Sequence, residues 1–284
     1  QVQFTVGNLE EFLEMPALPE AAKRADIGNT DVELKNVHFS YTGNEKDEVL
    51  HGIHLKLPAG SFTALVGPSG GGKSTVAKLI ARFWDVTAGE ITIGGVNIKD
   101  IPLAQLSETV SFVTQDNFLF RCSLLENIRL GKPDATDEEV RAAARAAQCE
   151  TFIEKLPQGY DTPAGEAGKR LSGGEKQRIA IARMILKDTP IVILDEATAF
   201  TDPENEDKIQ RSLAELTRGK TLLVIAHRLS TIQHADNIVV LKGGRIEAEG
   251  SQEALLAGCP LYRDMWQAHI GAKNWAVSAA KQEG

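Results

Sequence analysis

The run Gly67-Pro68-Ser69-Gly70-Gly71-Gly72-Lys73-Ser74 follows an apolar strand pattern, Phe62 to Val66, and opens a helical one. It fits G-x-x-x-x-G-K-[ST]. In that pattern glycines let backbone N–H groups wrap a polyphosphate and the helix N-terminus adds its dipole. Lys73 reaches the outer phosphates, and the Ser74 hydroxyl ligates Mg²⁺. Further on, Ile191-Val192-Ile193-Leu194 delivers two adjacent acids, Asp195 and Glu196. Two acids after four buried apolar residues are costly unless they bind something, which assigns Mg²⁺ to Asp195 and water or proton handling to Glu196. Gln115 follows Val110 to Val113, and His227 follows Leu222 to Ala226. A third locus is Leu171-Ser172-Gly173-Gly174-Glu175, where Ser and two glycines ahead of a helix make another anion site. One nucleotide needs one cradle. Either the chain takes two ligands, or the second site completes the pocket of another copy.

The elements that must hold these residues follow from hydrophobic patterning. Short alternating runs from Val32 to Ile98 suggest antiparallel strands around one helix, Ser74 to Phe83, with an apolar stripe of Val76, Leu79, Ile80 and Phe83. Residues 116–187 read as mostly helical. Thr136 and Glu139 form a capping box before an alanine-rich helix, and Gly174 opens another helix through Lys187. The unalternated runs 191–194 and 222–225, with a polar helix between them, suit parallel strands covered on both faces. In an open parallel sheet, ligands bind beyond the carboxyl ends of strands. Four strand ends therefore point Lys73, Gln115, Asp195 with Glu196, and His227 toward one crevice. A hairpin of Asn237 to Leu241 and Arg245 to Glu249 turns at Gly243-Gly244, ahead of a helical end.

Composition narrows the classes. The 284 residues are 42% hydrophobic, enough for a substantial core, and carry a formal charge of −8. That balance argues against a protein holding nucleic acid through an overall positive field. Cys122, Cys149 and Cys259 are too few and too scattered for a disulfide framework or a C-x-x-C metal site, which favours a reducing compartment. No apolar run approaches the roughly 20 residues that span a bilayer. Residues 1–30 read as a short amphipathic helix (Val6, Leu9, Phe12, Leu13) and a linker with Pro16 and Pro19. The chain opens on Gln1, so the expectation is a piece of a longer protein.

The ordered set of Gly67 to Ser74, Gln115, Leu171 to Gln177, Ile191 to Glu196 and His227 resembles the nucleotide-binding domain of an ABC transporter, from Val32 to Ala268. The resemblance implies a P-loop NTPase (RecA-like) α/β fold. It has a parallel-sheet core, an antiparallel β subdomain and an inserted α-helical subdomain at 116–187, within one ATPase domain spanning 31–270 before a tail at 271–284. It also implies that ATP with Mg²⁺ lies between Gly67 to Thr75 of one subunit and Leu171 to Glu175, with Asp202, of another in a head-to-tail dimer. Ser74, Asp195 and Gln115 would serve the metal, Glu196 would act as general base, and His227 would hold the γ-phosphate. Tyr41, in Val37-His38-Phe39-Ser40-Tyr41, matches the aromatic that stacks on adenine.

Within that family, Thr162 to Gly168 resembles the Thr-x-Val-Gly-Glu-x-Gly loop of exporter-type half-transporters, with Ala164 in place of Val and Glu166 near the coupling helices. The stretches Phe118-Leu119-Phe120 and Ser123 to Ile128 resemble the exporter type too. This implies a transmembrane domain fused upstream of residue 1, a second nucleotide-binding domain, identical or homologous, and a place on the cytoplasmic face of the plasma (inner) membrane. Glu175 stands where many members have Gln, and Ala197-Thr198-Ala199-Phe200-Thr201-Asp202 replaces the usual Ser-Ala-Leu-Asp form. The stretch from Ala199 to Glu206 is similar to transporters handling siderophores such as yersiniabactin or mycobactin. Three alternatives remain: a separately encoded ATPase subunit of a permease, a soluble ABC ATPase acting on nucleic acid, and a nucleotide-gated module that binds without cleaving. Repair-type ABC ATPases carry long coiled coils, yet Gln115 to Leu171 shows no sustained heptad. Glu196 argues against the module, and the leading linker argues against the separate subunit.

Overall fold

A computed structural model describes residues 18–114, 118–165, 171–196, 217–226, 229–232 and 234–269, with the backbone alone for Glu196, Ser230 and Thr231. The expected amphipathic helix at Val6 to Leu13, the polar helix between the 191–194 and 222–225 runs, and the tail at 271–284 lie outside the described residues. Residues 18–31 run without helix or strand.

A four-stranded antiparallel sheet comes first. It is built from β1 (Val32–Ser40), β2 (Glu48–Leu57), β4 (Ala88–Ile93) and β5 (Val96–Asn97) in the order β2-β1-β4-β5. β1 buries Val32, Leu34, Val37 and Phe39. The three-residue step from Leu34 to Val37 breaks strict alternation, and Asn36, at φ 48°, absorbs the extra residue where the pairing with β2 shifts register.

Between β2 and β4 the chain leaves this sheet. β3 (Phe62–Val66) pairs in parallel with β8 (Thr221–Ala226) and β9 (Asn237–Lys242), the parallel sheet in which the strand end ahead of Lys73 was expected. The six-stranded second sheet has the order β10-β9-β3-β8-β7-β6, where β6 is Val110–Val113, β7 Ile191–Glu196 and β10 Arg245–Gly250. Among the described residues its only antiparallel pair is the expected hairpin, β9 with β10.

The unalternated runs are explained by two apolar clusters, one on each face of this sheet. Ala64, Val192, Leu194, Leu222 and Val224 pack with the helical region, while Leu65, Ile191, Ile193, Leu223 and Ile225 pack with the antiparallel sheet and α1 (Lys73–Ile80). Successive side chains of a strand point to opposite faces, so a strand covered on both sides must be apolar at every position.

α1 is shorter than the expected Ser74 to Phe83. Arg82 takes a left-handed φ of 54° and turns its guanidinium inward to the Ile98 and Ile101 carbonyls at 3.2 and 3.4 Å. The apolar stripe consequently ends at Ile80, and Phe83 stands 53% exposed. α2 (Leu103–Thr109) leads into β6. The helical region comprises α3 (Leu124–Arg129), α4 (Asp137–Ala146), α5 (Glu150–Ile153) and α6 (Gly173–Lys187), the last starting one residue before the expected Gly174. The Thr136–Glu139 capping box is present in full at the start of α4. Helix α7 (Gln252–Gly258) and a helical run at 260–269 follow β10. No helix among the described residues is long and apolar enough to cross a membrane.

Candidate nucleotide site

Strand order decides which residues meet. β3, β8, β7 and β6 are consecutive neighbours running in parallel, so their carboxyl ends lie side by side. The glycine loop leaves β3, and Asp195 and Glu196 end β7. Gln115 comes two residues after β6 and His227 directly after β8, but both, with Asp202 and the Glu196 side chain, lie outside the described residues.

Two glycines of the loop are required by their surroundings. Gly67 has φ 140°, and a Cβ there would stand 1.9 Å from the Leu241 carbonyl oxygen. Gly72 has φ 98°, and its Cβ would meet Leu50 at 2.6 Å. Behind the loop, the turn of the β9–β10 hairpin supports it, the Gly244 N–H donating to the Gly71 carbonyl at 3.2 Å. This buttress was read from sequence as a turn alone. Its contact with the loop is long-range and leaves no local pattern.

Lys73 is 7% exposed, and its ammonium donates to the carbonyls of Gly67 and Pro68, each at 2.9 Å. Burial pulls its pKa below the ordinary lysine value, and the Asp195 carboxylate opposes that shift in part. The result is a buried cation, held inside the loop by neutral carbonyls, for which an incoming phosphate is the stronger partner.

The Ser74 hydroxyl donates to Asp195 Oδ2 at 3.1 Å, joining the start of α1 to the end of β7. An octahedral Mg²⁺ with oxygens at about 2.0–2.1 Å places adjacent ligands about 2.9 Å apart, so a hydroxyl and a carboxylate at this spacing fit the ion. Among the described residues, no cluster of three or more His, Cys, Asp or Glu could hold a metal by itself.

Tyr41 is 41% exposed beside this loop. Its hydroxyl is 3.0 Å from Thr75 Oγ1, and its ring meets Trp84 edge-on at 5.5 Å and Phe39 at 4.8 Å. The ring is thus fixed over the start of α1 with a free flank. Trp84 is a supporting residue that sequence reasoning missed, because it sits in the turn after α1 and outside any motif.

The helix start expected to form the second anion site has a specific construction. Ser172 caps α6: its Oγ accepts the Glu175 N–H at 3.3 Å, and its own N–H donates to Glu175 Oε2 at 2.7 Å. Glu175 is therefore the reciprocal half of a capping box, a role that the usual Gln also fills. Gly173 has open space around it. No hydrogen bond among the described residues joins 171–175 to 67–75. Leu171 to Glu175 and the loop are thus separate within one chain.

Together these features define an α/β domain with a glycine loop and an acidic strand end that meet at one point, and a separate capped helix start. Comparison with known proteins agrees. The family profile described as ABC transporter matches residues 50–199. The chain is 54% identical over 257 residues to the mycobactin import ATP-binding/permease protein IrtA of Mycolicibacterium smegmatis, covering 90% of this chain and 29% of that protein. It is 50% identical over 243 residues to the ATP-dependent lipid A-core flippase of Desulfotalea psychrophila, covering 86% and 42%. A solved structure of a bacterial Atm1-family ABC exporter with ATP bound superposes with a TM-score of 0.85 at 39% identity, covering 94% of this chain and 47% of that one. The chain belongs to the ABC transporter family, as an ATPase domain of the exporter type. It spans less than half the length of each of these relatives.

Proposed function

We propose that this domain binds MgATP between the Gly67–Thr75 loop of one copy and the Leu171–Glu175 helix start of a second nucleotide-binding domain, and hydrolyses it to drive a solute across a membrane. The observation that carries this reading is the 3.1 Å contact of Ser74 with Asp195, which brings the phosphate loop and the acidic strand end to one point. Mg²⁺, when bound there, neutralises charge on the outer phosphate oxygens. Lys73 moves its three donors from the loop carbonyls to the phosphates, and the loop N–H groups hold the chain of oxygens in line. Glu196 orients or deprotonates the attacking water, a general-base contribution of roughly 10²- to 10⁴-fold. His227 holds the γ-phosphate, and Gln115 reports its presence to the segment that follows. Tyr41 stacks on the adenine, and Asp202 of the second domain faces the bound nucleotide.

The partner for transport is a transmembrane domain, fused to the ATPase domain as in the ATP-binding/permease relatives, with the ATPase on the cytoplasmic face. The cleft between β6 and α6, about 370 Å³, supports it: Phe118, Phe120 and Leu130 are at least half exposed there, and this is the surface we assign to that domain. The 54% identity to a mycobactin importer makes a siderophore the cargo class this reading carries forward.

Glu196→Gln tests the hydrolytic step. The variant is expected to bind MgATP and dimerise while turnover falls by about 10²-fold or more. Unchanged phosphate release in that variant would remove Glu196 from the mechanism.

A further inference from the structure

Residues 18–31 lie along the side of the domain, fastened at three buried points. Arg82, whose side chain is fully buried, donates to the Pro19 carbonyl at 2.6 Å. Gln105 is 6% exposed and grips Ala25 from both sides, accepting its N–H and donating to its carbonyl, each at 2.8 Å. Thr221, fully buried, donates its hydroxyl to the Thr30 carbonyl at 3.0 Å. Ala25 and Ile27 also pack on the apolar cluster beneath the antiparallel sheet.

The three anchors share one property. Arg82 follows α1, whose other end carries Lys73 and Ser74. Gln105 lies in α2, which feeds β6 and so Gln115. Thr221 opens β8, which ends just before His227. Each anchor is at the rear of an element whose front delivers a residue of the nucleotide site.

We propose that residues 18–31 are a positioning strap, and that Arg82, Gln105 and Thr221 are positioning residues which hold α1, α2–β6 and β8 in the spacing that MgATP binds. The proposal rests on the nucleotide-binding reading above. Docking of the strap removes relative freedom of three elements that nucleotide must otherwise order. The docked strap therefore raises nucleotide affinity, and by linkage nucleotide tightens the strap. The strap is also the covalent path into the domain from whatever precedes it, so tension on it would reach all three site-bearing elements at once.

The test uses the whole chain and two variants acting from opposite sides. Gln105→Met removes both bonds to Ala25 from the core side. Ala25→Pro removes the donated N–H from the strap side and leaves every core residue intact. Hydrogen exchange across 18–31 is followed with and without MgATP, and MgATP affinity is measured by calorimetry. In the parent, MgATP should slow exchange at Ala25 and Ile27, whereas a merely structural tether would not respond. Both variants should speed exchange at Ile27, and Gln105→Met at Ala25 as well, since proline at 25 carries no amide hydrogen; both should weaken MgATP by about five- to tenfold, the low end of usual coupling between sites. Variants that free the strap yet bind MgATP like the parent would overturn the proposal, as would exchange unaffected by nucleotide. A parent chain that binds no MgATP would instead overturn the nucleotide reading, and the strap's role with it.

Discussion

Replacing Gly67 and Gly70 by alanine, one at a time, separates two roles that a glycine loop combines. At Gly70, φ is 74° and an added Cβ meets nothing within 4 Å. Alanine there incurs only the left-handed backbone cost of about 1–2 kcal/mol, a fall in Tm of a few degrees for a domain of this size. At Gly67 the same methyl lands 1.9 Å from the Leu241 carbonyl oxygen. Ordinary contact begins near 3.4 Å, so about 1.5 Å of movement is needed. Leu241 is fully buried in β9, which is paired on both sides, so the loop moves rather than the strand. A displacement of about 1 Å in a positioned site costs on the order of 10²-fold. Calorimetric titration with MgATP should show about 10²-fold weaker binding for Gly67→Ala and less than tenfold for Gly70→Ala, with thermal unfolding checking that both fold. Equal losses in the two variants, or a Gly67→Ala affinity within threefold of the parent, would refute the argument that Leu241 fixes the loop.

Two further outcomes follow from groups that sequence alone could not weigh. Glu175→Gln keeps an acceptor for the Ser172 N–H and loses the charge that favours a helix N-terminus, so α6 should lose about 0.3–1 kcal/mol. A bare anion site should meanwhile gain for a phosphate, so nucleotide-driven dimerisation, read by size-exclusion chromatography in a Glu196→Gln background, should strengthen; an unchanged dimer fraction would place the carboxylate away from the ligand. At alkaline pH, burial holds the Cys149 thiol and the Tyr160 and Tyr262 hydroxyls at about 12, above their ordinary 9.0 and 10.0. The unfolded chain gives up these protons first, so stability is complete below about pH 8 and falls as pH rises toward 12. The urea midpoint should drop between pH 8 and 10.5, and Tyr160→Phe with Tyr262→Phe should flatten that slope.

What the sequence made legible, and what it did not, divides by range. The glycine loop, the acids after Ile191-Val192-Ile193-Leu194 and the Thr136–Glu139 box are read within a few residues, because strand end, helix start and cap chemistry are local. β3 is legible as a parallel strand whose end carries the glycine loop, but not which strands flank it. Its parallel partners, β8 and β9, lie more than 150 residues later, and pairing over that distance has no local signature. Phe83 was placed on an apolar stripe because spacing cannot show that Arg82 would turn inward and end α1. The same limit applies inside the site. Gly67 is readable as a residue that permits a turn, but its necessity comes from Leu241, and the fixed ring of Tyr41 from Thr75 and Trp84. Residue types thus announce which chemistry is present, while the contacts that hold it in place come from strand order. A substitution at Leu241, Gly244 or Gln105 should therefore disturb nucleotide binding although none of the three belongs to a nucleotide-binding motif.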